Sequence, residues 1–389
     1  MQKLFSFCLA LFAWCVATMR FTVRAPMTML FAVGTGTGSA YPTLLEISKQ
    51  WGKDGKPLPV VEMLAQTNEP LIDIPWKGTN ETAGERSAIR TGLPYAIFRQ
   101  FYQGTPTGKS TTVQIVDATC MMEARGEVDV KLANLNGNSA AWRMQENYAF
   151  IEAMNQKMMA ALMYGNAAIN PTQFNGFAPR FSVAPTNANP AANSANVIDA
   201  GGVAGGTALL TSIWLICWGP LTAYGIYPKG SQAGILHKDL QEIDAFDDQK
   251  NAYRVYADLY NWDCGLVVKD WRYIVRICNI DTNKLITGQG APDLTALMVK
   301  ALHRPPNLGI VQTGQNNPAA NGAPAMPLAP NPVFYCNRTI AEYLDIQSLN
   351  KTQYTLKSGN DVFGRPITFC RGIPVRTCDQ ILSTEGQVV

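Results

Sequence analysis

The clearest helical pattern in the chain lies between Ser139 and Tyr164. Apolar residues recur there at spacings of three and four, which places them on one helix face: Met144, Tyr148, Ile151, Met154, Met158 and Leu162. Asn138 is a suitable N-cap, and Gly165 is a suitable residue just beyond the C-terminus. The methionine-rich face predicts core packing and not a cofactor site, because flexible Met side chains commonly fill gaps in cores.

Two stretches before this helix, Arg86–Phe101 and Thr111–Val130, have the composition of extended chain, and so does Pro70–Trp76. The segment between them, Tyr102–Ser110, carries the Gly and Pro residues typical of a turn. The pattern predicts one long β-hairpin. An isolated two-stranded hairpin is marginally stable in water, so we expect it to lie on another surface, such as a neighbouring subunit.

The region after the helix is rich in predicted strands. Phe181–Gly206 is interpreted as a loop or domain junction. The predicted strands are Thr211–Trp218, Leu221–Tyr227, Tyr253–Trp262, Gly265–Lys269, Trp271–Ile280, Pro366–Cys370 and Ile373–Arg376, and the predicted helices are Pro292–His303 and Thr339–Leu349. Strands and helices are segregated along the chain, which favours an α+β fold over a doubly wound sheet. Short helices are also predicted within Ala40–Gln66.

Composition adds a preference for protein contacts. The chain has 389 residues, of which 47% are hydrophobic, so it can bury a large core and form two or three domains. Charged residues make up 16%, against roughly 25% in an ordinary soluble domain. A charge-poor surface suits contact with other subunits. The net charge of +3 and the lack of a Lys/Arg cluster predict only non-specific contact with nucleic acid.

The residues that could carry chemistry are few. Nine cysteines form no C-x-x-C pair, and His237 and His303 are the only histidines, so no zinc spacing occurs. His237 is predicted to lie in a loop and His303 at a helix end, and both are interpreted as structural. No G-x-S-x-G motif is present. We therefore expect no metal, no cofactor and no enzymatic activity, with an exported hydrolase using either His as the alternative.

Two glycine-rich motifs are better explained without a nucleotide. Gly104–Ser110 resembles a phosphate-binding loop, but only three residues separate its first Gly from the Gly-Lys pair, whereas the motif needs four. Pro106 also removes an amide donor. Gly34–Gly38 reads G-x-G-x-G and not G-x-G-x-x-G. The first is interpreted as a turn and the second as a flexible linker.

The apolar run Leu4–Ala17 follows Lys3 and resembles a short signal peptide. Three interpretations stay open. The run is an export signal, or it is an apolar arm that packs on a neighbouring subunit. In the third interpretation it results from an upstream start codon, and translation begins at Met27 or Met29.

Charged residues alternate at the base of the predicted second hairpin arm and would share one face of a strand. They are Glu123, Arg125, Glu127, Asp129 and Lys131. A face with both signs of charge suits a complementary surface, although a solvated face has the same pattern. The candidate inter-subunit contacts, including three from the hairpin tip, are Gln103, Thr105, Lys109, Glu123, Arg125, Glu127 and Asp129.

Short motifs in one fixed order resemble the major capsid proteins of tailed, mainly short-tailed, bacteriophages. They are Leu64–Glu69, Ile89–Pro94, Lys109–Gln114, Leu135–Asn138, Glu152–Gln156, Tyr164–Asn166, Ser212–Trp214, Tyr227–Gly230, Asp270–Tyr273 and Gly372–Arg376. The similarity runs from about Thr43 to Ile381, which is nearly the whole chain after its apolar start. Residues 1–26 are not expected to be shared.

The resemblance implies the Hong Kong 97-like capsid fold. The implied domains are residues 1–78 as an N-terminal arm, 79–130 as the extended E-loop hairpin, 131–205 as the P-domain with spine helix 139–164, 206–347 as the A-domain, and 348–389 as a return to the P-domain. Some proteins of this fold cross-link a hairpin Lys to a neighbouring Asn, but no motif here supports that role for Lys109.

The function implied is self-assembly as pentamers and hexamers into an icosahedral shell around double-stranded DNA. The implied location is the virion capsid, assembled in the host cytoplasm. Portal, scaffolding or decoration proteins are possible further partners, and no membrane is expected. A cargo-loading nanocompartment shell of the same fold is the alternative.

Overall fold

The computed structural model describes residues 65–134, 139–188, 190–206, 208–247, 249–306, 330–349, 356–360 and 366–389, all within the compact unit Gln50–Val389. The helices are α1 Pro70–Asp73, α2 Val130–Ala133, α3 Ser139–Tyr164, α4 Phe177–Arg180, α5 Thr282–Thr287, α6 Leu294–Leu302 and α7 Arg338–Leu349, with 3₁₀ turns at Ala192–Asn196 and Trp271–Tyr273. The strands are β1 Trp76–Gly78, β2 Gly84–Gly92, β3 Thr111–Ala118, β4 Cys120–Asp129, β5 Val197–Asp199, β6 Leu210–Trp218, β7 Ala223–Tyr227, β8 Leu236–Phe246, β9 Ala252–Val268, β10 Ile274–Asp281, β11 Asn331–Cys336, β12 Leu356–Asn360, β13 Pro366–Cys370 and β14 Ile373–Thr377.

One large mixed sheet organises the described residues. Its path runs β12-β13-β14-β11-β6-β7-β9-β4, while β10 and β5 join beside β6, β1 beside β7 and β8 beside β9. Strand β9 is the longest and changes neighbours along its length. Its first part lies between β4 and β8, and its last residues pair with β7.

Strand β6 divides the core into two layers. Its sequence is apolar almost throughout, as expected for a strand that is covered on both faces. Trp214, Ile216 and Trp218 face a cluster that includes the C-terminal half of α3. The alternate residues Ile213 and Leu215 face a second cluster, which includes α6 and α7. The predicted α+β class is therefore confirmed, and helix α3 has the predicted bounds.

The prediction of one continuous arm over Thr111–Val130 is wrong. Strand β3 pairs with β2, and this two-stranded sheet ends where Gly84 lies opposite Ala118. The Thr119 amide then donates to Ala83 O at 3.1 Å, and β4 starts a new pairing with β9 at the next residue. The chain stays extended while its hydrogen-bonding partner changes from strand β2 to strand β9. The composition of the segment therefore gives no sign of the boundary between β3 and β4.

Two local predictions also need correction, and a third residue, Gly165, has a role that its position did not reveal. Pro70–Asp73 is a helical turn and not extended chain, because Pro70 occupies the first helical turn, where its fixed φ fits. His237 lies on β8 and not in a loop. Gly165 directly follows the last residue of α3, as predicted, but without the positive φ of a left-handed cap. It is needed for space, since a Cβ there would lie 2.4 Å from Ala161 O and 2.5 Å from Phe174 O.

Other predictions lie outside the described residues. They concern the apolar run 4–17, the glycine-rich stretch 34–38, the cap Asn138, and the part before residue 65 of the helices predicted within Ala40–Gln66; the last two residues of that range, Ala65 and Gln66, are described and are not helical. Among the described residues, no helix is both long and apolar enough to cross a membrane.

Candidate assembly surface

The hairpin β2–β3 is anchored at its base by a buried carboxylate that pairs with two more exposed lysines. Glu85 is buried, accepts a hydrogen bond from Tyr224 Oη at 3.0 Å, and lies 3.7 Å from the amines of both Lys77 and Lys269. Burial, followed by the nearby Lys77 charge, lowers the pKa of Lys269. Paired charges of this kind are costly to separate once buried, so the base of the hairpin holds a defined position on the body of the subunit.

The hairpin leaves this anchor as an open two-stranded sheet. Residues 111–116 of β3 are all exposed, so neither face of that strand is covered by the described part of the chain. Val113 and Val116 are 51% and 56% exposed. A two-stranded sheet with apolar residues on uncovered faces is marginal in water, which indicates that another surface covers it.

The connection between the two strands is the most exposed apolar segment described. Residues 93–110, here called the tip segment, contain no helix or strand. Phe98, Phe101 and Tyr102 are 105%, 93% and 108% exposed, and Leu93 and Tyr95 are also exposed. Single exposed apolar residues are ordinary, but five within one short segment mark an interaction site.

A second apolar surface lies on the N-terminal half of α3. The periodic face predicted for this helix is continuous, but only its second half is in the core: Met154, Met158 and Leu162 are buried, whereas Met144, Tyr148 and Ile151 are 64%, 61% and 40% exposed. The prediction that the whole stripe packs in the core is therefore wrong for its first half. Met144, Tyr148 and Ile151 are here called the helix patch.

The predicted contact residues fall into two groups. Gln103, Thr105 and Lys109 are exposed in the tip segment. The others lie on β4, where Glu123 and Arg125 are exposed, and Arg125 Nη2 lies 2.6 Å from Glu127 Oε1.

Of the last two charged residues predicted for the strand face, Asp129 lies at the end of β4 and Lys131 lies beyond it. Asp129 is the N-cap of α2, because its carboxylate accepts from the Lys131 amide at 2.7 Å. Lys131 lies within α2 and so is not part of the strand face on which it was placed. The charged face on β4 is therefore one residue shorter than predicted and ends at Asp129, the last residue of the strand.

Sequence reasoning did not identify the aromatic residues of the tip segment, or the exposed half of α3, as candidate contact surfaces. The signal was present as aromatic residues within a stretch lacking strand alternation, at Phe98, Phe101 and Tyr102. Their degree of exposure depends on the rest of the fold and is not encoded locally.

The histidines have structural surroundings. His237 Nε2 lies 2.9 Å from Asp258 Oδ1, and its ring stacks on Tyr260 with centroids 4.8 Å apart. Asp258 also accepts from Arg143 at 3.0 Å. His303 ends α6. Within the described part of the chain, no hydroxyl or thiol hydrogen-bonds to either ring, and no cluster of three metal-ligating side chains occurs.

The C-terminal segment closes the subunit around a buried ion pair. Arg276 Nη2 lies 2.8 Å from Glu385 Oε2, and the two side chains are 5% and 4% exposed. Glu385 also accepts from Tyr164 Oη at 2.5 Å and from the Ser212 hydroxyl. Burial, followed by the Glu385 charge, raises the pKa of Tyr164 far above its ordinary value. This network connects the end of α3 with β6, β10 and the tail.

Comparison with solved structures identifies the class of protein. A chain in the near-atomic cryo-EM structure of bacteriophage epsilon15 is 30% identical, with a TM-score of 0.69 over 90% of this chain and 98% of that one. The bacteriophage JBD30 capsid is 11% identical over 91% and 99%, with a TM-score of 0.42. An encapsulin complex of Synechococcus elongatus PCC 7942 is 13% identical over 62% and 97%, with a TM-score of 0.35. The epsilon15 likeness, together with the match of residues 52–389 to a major capsid protein family, shows that the fold is Hong Kong 97-like and that the protein is a structural shell protein of a tailed-phage capsid.

The family follows from the sequence itself. Residues 52–389 match the family described as major capsid protein GP7, and the chain belongs to that family. Curated protein sequences give no match. The predicted identity, fold and capsid role are confirmed, as are assembly into a multimeric shell and location in the virion capsid.

Proposed function

We propose that copies of this chain assemble in the host cytoplasm as pentamers and hexamers, which close into an icosahedral shell around double-stranded DNA, and that the chain has no catalytic role. The observation that carries this proposal is the tip segment at residues 93–110, in which every residue except the partly covered Ile97 is exposed. Its apolar side chains have no cover within the described subunit, and a neighbouring copy would supply it.

The burial available to the tip segment is large. An aromatic side chain buries about 150–250 Å² when fully covered. At about 25 cal/mol per Å², covering Phe98, Phe101 and Tyr102 would contribute on the order of 10 kcal/mol before the cost of ordering the segment. The cost of association offsets part of this gain, and repetition of the contact at every subunit boundary adds the remaining contributions across the shell.

The helix patch is the surface proposed to receive the tip segment. It offers a thioether, an aromatic ring and a branched aliphatic side chain along two turns of α3. Methionine adapts its shape to aromatic partners and makes favourable sulfur–aromatic contacts. An isolated apolar stripe of this length on a rigid helix suits a flexible aromatic segment from the next subunit.

The polar candidates would surround this apolar contact. Gln103, Thr105 and Lys109 lie in the same tip segment as the aromatic residues, and Glu123 and Arg125 present both signs of charge on β4. Charges at the rim of an interface mainly fix register and raise the association rate, and contribute less to affinity. Glu127 and Asp129 would act indirectly, by holding Arg125 and by capping α2.

The domain limits remain part of the proposal. They are an N-terminal arm 1–78, an E-loop 79–130, a P-domain 131–205, an A-domain 206–347 and a return 348–389. The hairpin β2–β3 with its tip segment supports the E-loop assignment, and α3 supports the spine of the P-domain. Portal, scaffolding or decoration proteins remain possible further partners.

Assembly of variants tests the proposal. Deletion of Gln103–Ser110, or the double substitution Phe98→Ser and Phe101→Ser, should abolish shells in electron micrographs while circular dichroism and thermal unfolding of the subunit stay unchanged. The matched control replaces the same two residues by Tyr, which keeps the rings and should keep assembly. Normal shells from the Ser variant would contradict the proposed role, and loss of subunit folding would contradict the assignment of the tip segment as peripheral.

The contents of purified particles separate the two shell functions. Double-stranded DNA from infected cells would support the capsid, whereas enclosed protein cargo without DNA would support the nanocompartment alternative. An exported hydrolase would need His237 or His303, so normal shells from a double His→Ala variant would count against that alternative.

A further inference from the structure

Two cysteines lie directly opposite each other where the base of the hairpin meets the body. Cys120 is the first residue of β4, and its partner in the antiparallel register with β9 is Cys264. Directly opposed residues of an antiparallel pair project to the same face with Cα atoms about 4.5–5.5 Å apart. That separation lies within the range that a disulfide spans.

The two side chains also line the same cavity. Interaction with the Cys264 thiol lowers the pKa of Cys120, whereas interaction with the Cys120 thiol, followed by burial, raises the pKa of Cys264. A thiol with a lowered pKa is the more reactive nucleophile. The pair therefore has an attacking member and a resolving member.

Access to the pair is also asymmetric. Cys120 is half-buried, whereas Cys264 is fully buried with its Sγ 3.2 Å from Met158 Sδ. Both thiols line a cavity of about 220 Å³ that is also lined by Lys157, Met158 and Phe174. A small oxidant can reach Cys120 first, and Cys264 is protected until Cys120 has reacted.

A second pair of cysteines shows how specific this arrangement is. The Cys378 amide donates to Cys336 O at 2.8 Å, so their backbones are also adjacent. Their side chains, however, belong to the two different core layers, Cys378 to the α3 side and Cys336 to the α6–α7 side. Backbone proximity without a shared face cannot give a disulfide.

We propose that Cys120 and Cys264 form a cross-strand disulfide when the protein meets an oxidising environment, and that this bond fixes the base of the hairpin to the central strand β9. The change from a reducing to an oxidising environment rests on the proposed function, because a shell assembled in a reducing cytoplasm becomes exposed to oxidants when it is released from the cell. The chemistry of the pair itself does not depend on assembly.

The oxidant is a small-molecule disulfide such as oxidised glutathione. The Cys120 thiolate attacks one of its sulfurs, so that a mixed disulfide forms and one glutathione thiolate leaves. Cys264 then gives up its proton to solvent, attacks the Cys120 sulfur and displaces the second glutathione thiolate. Two protein thiols are oxidised by two electrons, and one small disulfide is reduced to two thiols.

The bond would link residues far apart in sequence and enclose helix α3. Because a cross-link over a long loop mainly restricts the unfolded chain, the melting temperature of the subunit should rise by roughly 5–10 °C. The rise should disappear after reduction.

Peptide mapping of the purified full-length chain tests the proposal without requiring assembly. The chain is reduced, incubated with oxidised glutathione, alkylated and digested without reductant. We expect a linked peptide pair joining Cys120 to Cys264, loss of alkylation at these two residues, and no link between Cys336 and Cys378. Cys120→Ser should remove the link and the temperature rise, and Cys264→Ala should leave a persistent glutathione adduct on Cys120.

Several outcomes would overturn the inference. They are a wild-type chain that remains fully alkylated at both cysteines, a stable glutathione adduct on wild-type Cys120, or a link from Cys120 to another cysteine. Because the wild-type map alone decides these cases, a variant that fails to fold does not affect the conclusion. Failure of shell assembly with normal disulfide formation would refute the proposed function and leave this inference intact.

Discussion

Removal of the Glu385 carboxylate should destabilise the subunit strongly, although this residue lies near the end of the chain. In Glu385→Ala the Arg276 guanidinium would remain buried with no counter-ion, and Tyr164 and Ser212 would lose an acceptor. Breaking a buried ion pair by removal of one partner costs about 3–5 kcal/mol. Arg276 keeps its hydrogen bond to Phe181 O at 2.9 Å and its place 5.0 Å from the Trp214 ring, so we expect about 4 kcal/mol.

The assay is urea unfolding of the unassembled subunit at pH 7, with the free energy of unfolding taken from the midpoint and slope. Glu123→Ala is the control, because Glu123 is an exposed carboxylate, and a surface change of this kind should cost less than about 0.5 kcal/mol. The double variant Glu385→Ala with Arg276→Met removes both charges and should regain part of the loss.

Three results would refute this reasoning. A cost for Glu385→Ala that matches the Glu123→Ala control would show that the ion pair is not essential to the fold. A double variant whose loss of unfolding free energy equals the sum of the losses of Glu385→Ala and Arg276→Met alone would show that the two residues act independently. Unchanged global unfolding together with fast exchange of the Glu385 and Val388 amides would show that the tail detaches locally.

Two further variants test other parts of the account. Gly165→Ala should cost about 1–3 kcal/mol of subunit stability, because the added Cβ would overlap the carbonyl oxygens of Ala161 and Phe174. The control Gly104→Ala, where the added Cβ would lie in open space, should cost almost nothing in the same unfolding assay. Equal losses in the two variants would refute the argument that Gly165 is required for close approach. Tyr148→Ser on the helix patch should leave the melting temperature of the subunit unchanged and weaken shell formation in light scattering, and normal assembly kinetics would exclude Tyr148 from the interface.

Local sequence patterns were sufficient to predict an element where its own periodicity and composition determine whether it is a helix or a strand. Helix α3 follows from its periodicity, and β6 follows from an apolar run of strand length. The tail strands β13 and β14 follow from short alternating segments bounded by Gly and Pro. In each case hydrogen bonding and burial agree with the local composition, so the sequence prediction and the structure have the same limits to within a few residues.

Predictions failed where partner choice decides the structure. The break at Thr119 is invisible in sequence, because β3 and β4 are both extended and differ only in the strand with which they pair. Strand β8 was missed because its residues are largely polar and exposed, and its pairing with β9 supplies the order. The first half of the α3 stripe was assigned to the core, because periodicity alone cannot distinguish an apolar face that packs inside the subunit from one that is exposed on it.

The central claim is that neighbouring copies cover the tip segment and the helix patch. The most direct measurement is electron cryomicroscopy of shells formed by the expressed chain. We expect pentamers and hexamers in which residues 93–110 of one copy lie on Met144, Tyr148 and Ile151 of the next. Shells in which the tip segment lies in solvent or folds back on its own subunit would contradict the account.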